Sequence, residues 1–225
     1  QSSESIFGNT ASLVRSKSHS VSLFSSKIMD EVSYFSVSLS SKLKSGKLAV
    51  GIFEQSVADI PLTTETDDAD QTITQYGAYD YKNSLIKVGY QTFFNQPFLQ
   101  QSLFKDPDTG LSVGVSYAFY HIDFEEYSGI GHNIDIGLIA MLRKTQWSVN
   151  IQNVFFNQYV MYNNNELELL PFALTLTGVI PWSDIHILPQ LKISKNKVLF
   201  SQGVSYQPQF LPYAVLRVGY KEQLD

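Results

Sequence analysis

Residues 110–124, GLSVGVSYAFYHIDF, alternate between two kinds of side chain. Leu111, Val113, Val115, Tyr117 and Phe119 are large and apolar, whereas Ser112, Gly114, Ser116 and Ala118 are small or polar. Successive side chains of an extended strand point to opposite faces. The segment therefore carries one greasy face and one face of small residues. The division recurs along the chain. Ile134, Ile136, Leu138, Ala140 and Leu142 oppose Asn133, Asp135 and Gly137; Trp147, Val149 and Ile151 oppose Ser148, Asn150 and Gln152. Leu170, Phe172, Leu174 and Leu176 oppose Ala173, Thr175 and Thr177, and Ala214, Leu216, Val218 and Tyr220 oppose Val215, Arg217 and Gly219. A soluble sandwich solvates its outer face with Lys, Glu, Asp and Arg. A membrane barrel turns its apolar face to lipid and packs small and polar side chains inward. Small neutral residues on the second face fit the membrane arrangement.

Composition agrees. Charged residues make up 16% of the chain, against roughly 25% in a typical soluble domain. Aromatics are plentiful, with 15 Phe and 13 Tyr. Several stand near expected strand ends, as interface girdles do: Tyr34, Phe35, Phe93, Phe94, Phe155, Phe156, Trp182 and Tyr206. The net charge of −5 argues against a nucleic-acid partner, because phosphate binding needs a basic footprint. With no cysteine, disulfide and thiolate chemistry are excluded.

Helical periodicity is nearly absent, and period-two runs separated by turn residues dominate. The runs predict strands at 19–26, 32–41, 47–54, 71–79, 83–94, 110–124, 132–143, 146–160, 167–179, 184–194, 197–206 and 211–220. The expected fold is all-β, an antiparallel transmembrane β-barrel of about twelve strands, within a range of about 10–14. An N-terminal segment, 1–18, precedes a single barrel domain, 19–225. LRKTQ, ISKNK and PWSD read as tight turns, and 55–70, 92–109 and 160–166 as longer loops.

VADIPLTTE, followed by a further strand and SLIKVGYQTFF, resembles outer-membrane barrels of the long-chain fatty acid transporter superfamily, nearest the branch of the type IX secretion barrel subunit. NTASL keeps Asn9, Ala11 and Leu13 of that branch's Asn-Pro-Ala-Gly-Leu, with Thr10 and Ser12 in place of Pro and Gly. NIDIGLIAMLRKTQWSVNIQNV, LPFALTLTGV and AVLRVGY resemble the family's later strands. The resemblance implies a bacterial outer-membrane location and transport or binding of hydrophobic molecules or lipid. It also implies that SIFGNTASLV tucks into the lumen or against the periplasmic rim.

Candidate residues follow from the faces. Val113, Val115, Ile134, Ile136, Leu138, Leu174 and Leu216 are expected to face lipid. Asp135, Lys192 and Arg217 fall mid-strand on the small face, and Lys87, whose face holds both Leu85 and Gly89 and leaves its direction open, joins them as a lumen candidate. Charges in a narrow lumen must pair or meet water. NVFFNQYVMY, with Phe155, Phe156, Tyr159 and Tyr162, carries more apolar surface than one strand needs and is the candidate surface for self-association or a membrane partner. His19, His121, His132 and His186 lack metal-ligand spacing, HIDFEE reads as a solvated rim, and DPDTG lacks the later Glu of a calcium loop. No nucleophile motif or phosphate-cradling loop occurs, so no cofactor, metal or catalytic site is expected. The alternative is a soluble β-sandwich or lipocalin-like binding protein; an outer-membrane enzyme has no catalytic constellation to support it.

Overall fold

A computed structural model describes residues 2–65, 73–95, 109–142, 145–155, 159–195, 197–208 and 215–224. Two short 3-10 helices, Ser3–Phe7 and Thr10–Arg15, precede thirteen strands of one antiparallel sheet. These are β1 His19–Ile28, β2 Val32–Leu43, β3 Gly46–Glu65, β4 Ile73–Asn95, β5 Gly110–Phe124, β6 Tyr127–Leu142, β7 Thr145–Gln152, β8 Tyr159–Tyr162, β9 Leu167–Leu169, β10 Ala173–Trp182, β11 Ile185–Ser194, β12 Lys197–Tyr206 and β13 Leu216–Leu224. Sequential neighbours pair from β1 to β7 and then from β10 to β13, while β8 pairs with β6 and β9. Among the described residues β1 and β13 each have one neighbour, so the sheet is not closed.

Four expectations are corrected. The runs at 71–79 and 83–94 form one strand, β4, because Tyr79 and Tyr81 keep the alternation going and no turn residue breaks it. Residues 55–65 are strand rather than loop: β3 continues against β4 through register shifts after Val57 and Leu62. The run at 146–160 divides into β7 and β8, and the run at 167–179 into β9 and β10. Pairing explains both divisions: β6 pairs Ile136 with Ile151 of β7 and Ile130 with Met161 of β8, while β9 pairs with β8 and β10 with β7. The loop expected at 160–166 shrinks to a turn after Tyr162. Parts of the other expected loops and turns, 66–70, 96–108, 143–144 and 196, and of the expected strands, 71–72, 156–158 and 211–214, lie outside the described residues.

The two faces differ as the alternation requires. One face is covered by the N-terminal segment. There Ser112, Ser116, Ala118, Asn133 and Asp135 are buried, together with Ile6, Ala11 and Leu13 of the segment. The other face is exposed and apolar. The register aligns Val21, Leu39, Val50, Val88, Tyr117 and Ile134 into one row across six strands. A second row runs Leu48, Tyr90, Val115, Ile136, Ile151, Leu174, Ile193 and Val198. Val115 is 44% exposed and Val88 43%.

The sheet curls around the segment. The Ser3 amide donates to Ser20 of β1, and Asn9 Nδ2 donates to the Val149 carbonyl of β7. A flat sheet would place those strands ~29 Å apart. From Ser3 to Asn9 the chain, mostly 3-10, covers only ~15 Å. Side-chain reach closes part of the difference, and curvature toward the segment closes the rest.

Glycine makes this approach close. A Cβ on Gly114 would lie 2.3 Å from the Ala11 nitrogen, and one on Gly137 would lie 2.0 Å from Asn9 Oδ1. At Gly219 of β13 the nearest atom would be 3.6 Å away. Gly114→Leu should therefore lift the N-terminal segment off the sheet and cost ~1–3 kcal/mol through overpacking, while Gly219→Leu is tolerated. Faster proteolysis within residues 1–18 of the first variant, unmatched in the second, is the expected readout.

Candidate functional site

The N-terminal segment is held by its backbone and by short polar side chains. Asn9 caps the second 3-10 helix by accepting from the Ala11 amide at 2.9 Å. Its amide nitrogen bonds Val149 O at 3.1 Å. Thr10 donates to Ser116 Oγ at 3.0 Å, and Ser112 Oγ donates to Ala11 O at 2.8 Å. Ser112 in turn accepts from Gln91 Nε2. The Ser3 hydroxyl donates to the Ser38 carbonyl of β2 and accepts from the Ser38 hydroxyl. At the end where the segment leaves for β1, the Lys47 ammonium donates to the carbonyls of Val14 and Ser16. Asn9, Ala11 and Leu13 each have a structural role. Asn9 caps and anchors, Ala11 fits over Gly114, and Leu13 fills the core beside Ile6 and Ala49.

Deeper along the same face lies a buried ion pair, Lys87 with Asp135. Both side chains are almost wholly buried. The register explains the reach. Lys87 on β4 stands opposite Ala118, and Asp135 on β6 stands opposite Ser116, so the lysine stem crosses β5 over small residues. The direction of Lys87, open from sequence, is thus inward. Asp135 Oδ1 also accepts from the Asn153 amide at 2.9 Å. Asn153 sits where the chain bulges after β7, with φ of 55°, a left-handed conformation that Asn tolerates better than most residues. Its Nδ2 donates to Pro171 O at 2.8 Å, and its Oδ1 accepts from Tyr120 OH at 3.3 Å. One carboxylate thus ties β4, β6, the bulge after β7 and the approach to β10. Asn153 is not among the residues that alternation singles out; the break in alternation at NVFFNQ is its signal in the sequence.

The other candidates are dispersed. Pairing places Lys192 opposite Thr175 and Leu199, and Arg217 opposite Ser205, both on the inner face. Lys192 is half-buried and Arg217 exposed, and neither forms an ion pair with a described residue. Four lumen candidates therefore yield one pair. Val115 and Leu216 are exposed, while Val113, Ile134, Ile136, Leu138 and Leu174 are half-buried on the same outward face. Phe155 and Tyr159 are exposed, Phe156 lies outside the described residues, and Tyr162 turns inward to donate to Glu168 at 2.6 Å. Tyr162 is thereby removed from the candidate assembly surface. His121 lies 3.5 Å from Asp123, both partly exposed. Among the described residues no His, Cys, Asp and Glu group is placed to hold a metal.

Among the described residues, cavities open on the inner face at both ends of the strands. One, of about 550 Å³, lies where the segment leaves for β1, between Ser16, Lys42, Lys47 and Phe93. The other, of about 510 Å³, lies toward the opposite strand ends among Tyr81, Phe124, Tyr127 and Tyr162.

Removing one partner of a buried ion pair strands the other charge and costs ~3–5 kcal/mol, whereas replacing both partners with apolar groups is often near neutral. Lys87→Met should lower the denaturant midpoint by that equivalent. The double variant Lys87→Met/Asp135→Leu should recover part of it, the remainder reflecting the lost Asn153 contact; unfolding followed by tryptophan fluorescence measures both.

Comparison with known protein families, curated proteins and solved structures finds no match.

Proposed function

We propose that this chain is a non-enzymatic bacterial outer-membrane β-barrel that binds or moves hydrophobic molecules or lipid, or serves as a membrane scaffold, in the manner its sequence resembles. The observation that carries the reading is the direction of the two faces. The apolar rows lie on the exposed side, and the buried side holds an ion pair, amides and hydroxyls. In water such an exposed belt carries a large hydrophobic cost; in lipid it is the stable arrangement. A soluble sandwich would bury the face that carries Val50, Val88, Val115 and Tyr117, which this chain leaves open.

Lipid also requires that every backbone group be paired. Eleven strands make up the main path of the sheet, all paired antiparallel, so β1 and β13 run in the same direction. Closure between them would be a parallel seam, the solution open to an odd-stranded barrel. Self-association through exposed Phe155 and Tyr159 belongs to the same reading.

Nitroxide labels at Val88, Val115, Ile136 and Leu216 of protein in bilayers should be accessible to oxygen and shielded from a polar relaxant; strong access for the polar relaxant would overturn the membrane reading. Deleting residues 1–14 should raise single-channel conductance in planar bilayers, since the segment occupies the inner face; unchanged conductance would show that it does not obstruct the bore.

A further inference from the structure

The cavity of about 510 Å³ on the inner face is walled by aromatic rings and edged by two carboxylates, Glu166 and Glu168. Among the described residues no Lys or Arg contributes to its lining. Tyr81 comes from β4, Phe124 from β5, Tyr127 from β6 and Tyr162 from β8, so strands far apart in sequence converge on one space. The rings are set edge to face rather than stacked shut. Phe124 meets Tyr81 at 6.3 Å and 71°, and Tyr79 at 4.9 Å and 82°. Tyr162 donates its hydroxyl to Glu168 Oε2 and fixes that carboxylate at the edge of the cavity. The backbone adds a second constraint: the Tyr162 amide donates to Glu166 O, closing the β8–β9 turn over the space.

We propose that this cavity is a binding site for an organic ammonium, a quaternary or alkyl amine head of about choline size. Aromatic faces carry negative electrostatic potential and attract a cation within about 6 Å. They also offer apolar contact to its methyl groups, which a simple metal ion could not use. The carboxylates supply the net charge that sets the sign of the preferred ligand. An anion would meet Glu166 and Glu168 with no compensating cation in the lining. A neutral alkyl group would gain the aromatic contact and forgo the charge. The pocket is formed by strands of the sheet and stands whether or not the sheet lies in lipid.

The test uses the full chain in a nonionic detergent. Choline is titrated against its neutral isostere, 3,3-dimethylbutan-1-ol, by saturation-transfer NMR. Choline should bind saturably and at least ~10-fold tighter than the alcohol. The double variant Glu166→Gln/Glu168→Gln changes exposed positions and should remove most of that preference. Tyr81→Leu should weaken choline ~10-fold or more; the glutamine variant keeps the test decisive if this second variant fails to fold. Equal binding of the two probes, absence of saturable choline binding, or an undiminished preference in the glutamine variant would overturn the proposal. Because the label-accessibility experiment reads the outer face alone, either result can fail without the other.

Discussion

The structure depends on how closely the N-terminal segment lies against strands that carry no side chain where it crosses them. Gly114 and Gly137 leave room for Ala11 and Asn9 directly over the β5 and β6 backbones. Gly51 and Gly89 do the same for Ile6, Phe7 and Thr10 on β3 and β4. Four neighbouring strands thus share one groove of missing Cβ atoms. Glycine in a strand costs stability relative to residues that pack, and here the loss is offset by burying Ile6 and Leu13 completely. A single-layer sheet has no opposing sheet to cover its inner face, so the segment takes that place.

Small residues solve a second problem on the same face. A lysine buried to the degree of Lys87 is tolerable only with a partner, and its partner stands two strands away. Ala118 and Ser116 on the intervening strand are what let the side chain pass. A leucine at 118 would block the route and leave both charges unpaired. The position of Asp135 also decides the path of the chain after β7, because it holds the Asn153 amide where the ladder breaks. Packing, charge pairing and strand geometry are therefore set by one patch of short side chains.

Much of this is legible in the sequence. Alternation is a local property of a strand, so the two faces of β5, β6 and β10 can be read from residues 110–124, 133–142 and 170–177. The same alternation assigns Asp135, Lys192 and Arg217 to the inner face that the register gives them. The partner of Asp135 is not legible, because Lys87 sits among mixed neighbours and its direction depends on small residues across β5. The breaks after β7 and β9 escape local reading for a related reason. A bulge is decided by contacts of distant residues, here Asp135 and Pro171 with Asn153, while the run itself keeps its apolar content. The union of 71–79 with 83–94 is hidden because DYK looks like a turn by composition, although the pairing of Tyr81 with Val57 keeps it in the ladder. The aromatic cavity draws on five strands and has no signature in any one of them.

The energetics of the segment limit how the proposed barrel could carry a solute. Lifting it off the sheet breaks the bonds of Ser3 with Ser38, Thr10 with Ser116, Asn9 with Val149, Ser112 with Ala11 and Lys47 with Val14. Each is worth about 1 kcal/mol net, and exposing Ile6 and Leu13 adds ~1.5–3 kcal/mol apiece. The total is on the order of 10 kcal/mol, as large as the stability of many whole domains. Spontaneous opening would then be populated about once in ten million molecules, too seldom for the segment to act as a thermally driven gate. The cavity among Tyr81, Phe124 and Tyr127 is lined by strand residues away from the segment, so filling it breaks none of these bonds. Under the proposed reading, capture at the aromatic end and exchange along the outer surface are the readier modes, and a through-route would need a partner that binds the displaced segment more tightly than the sheet does.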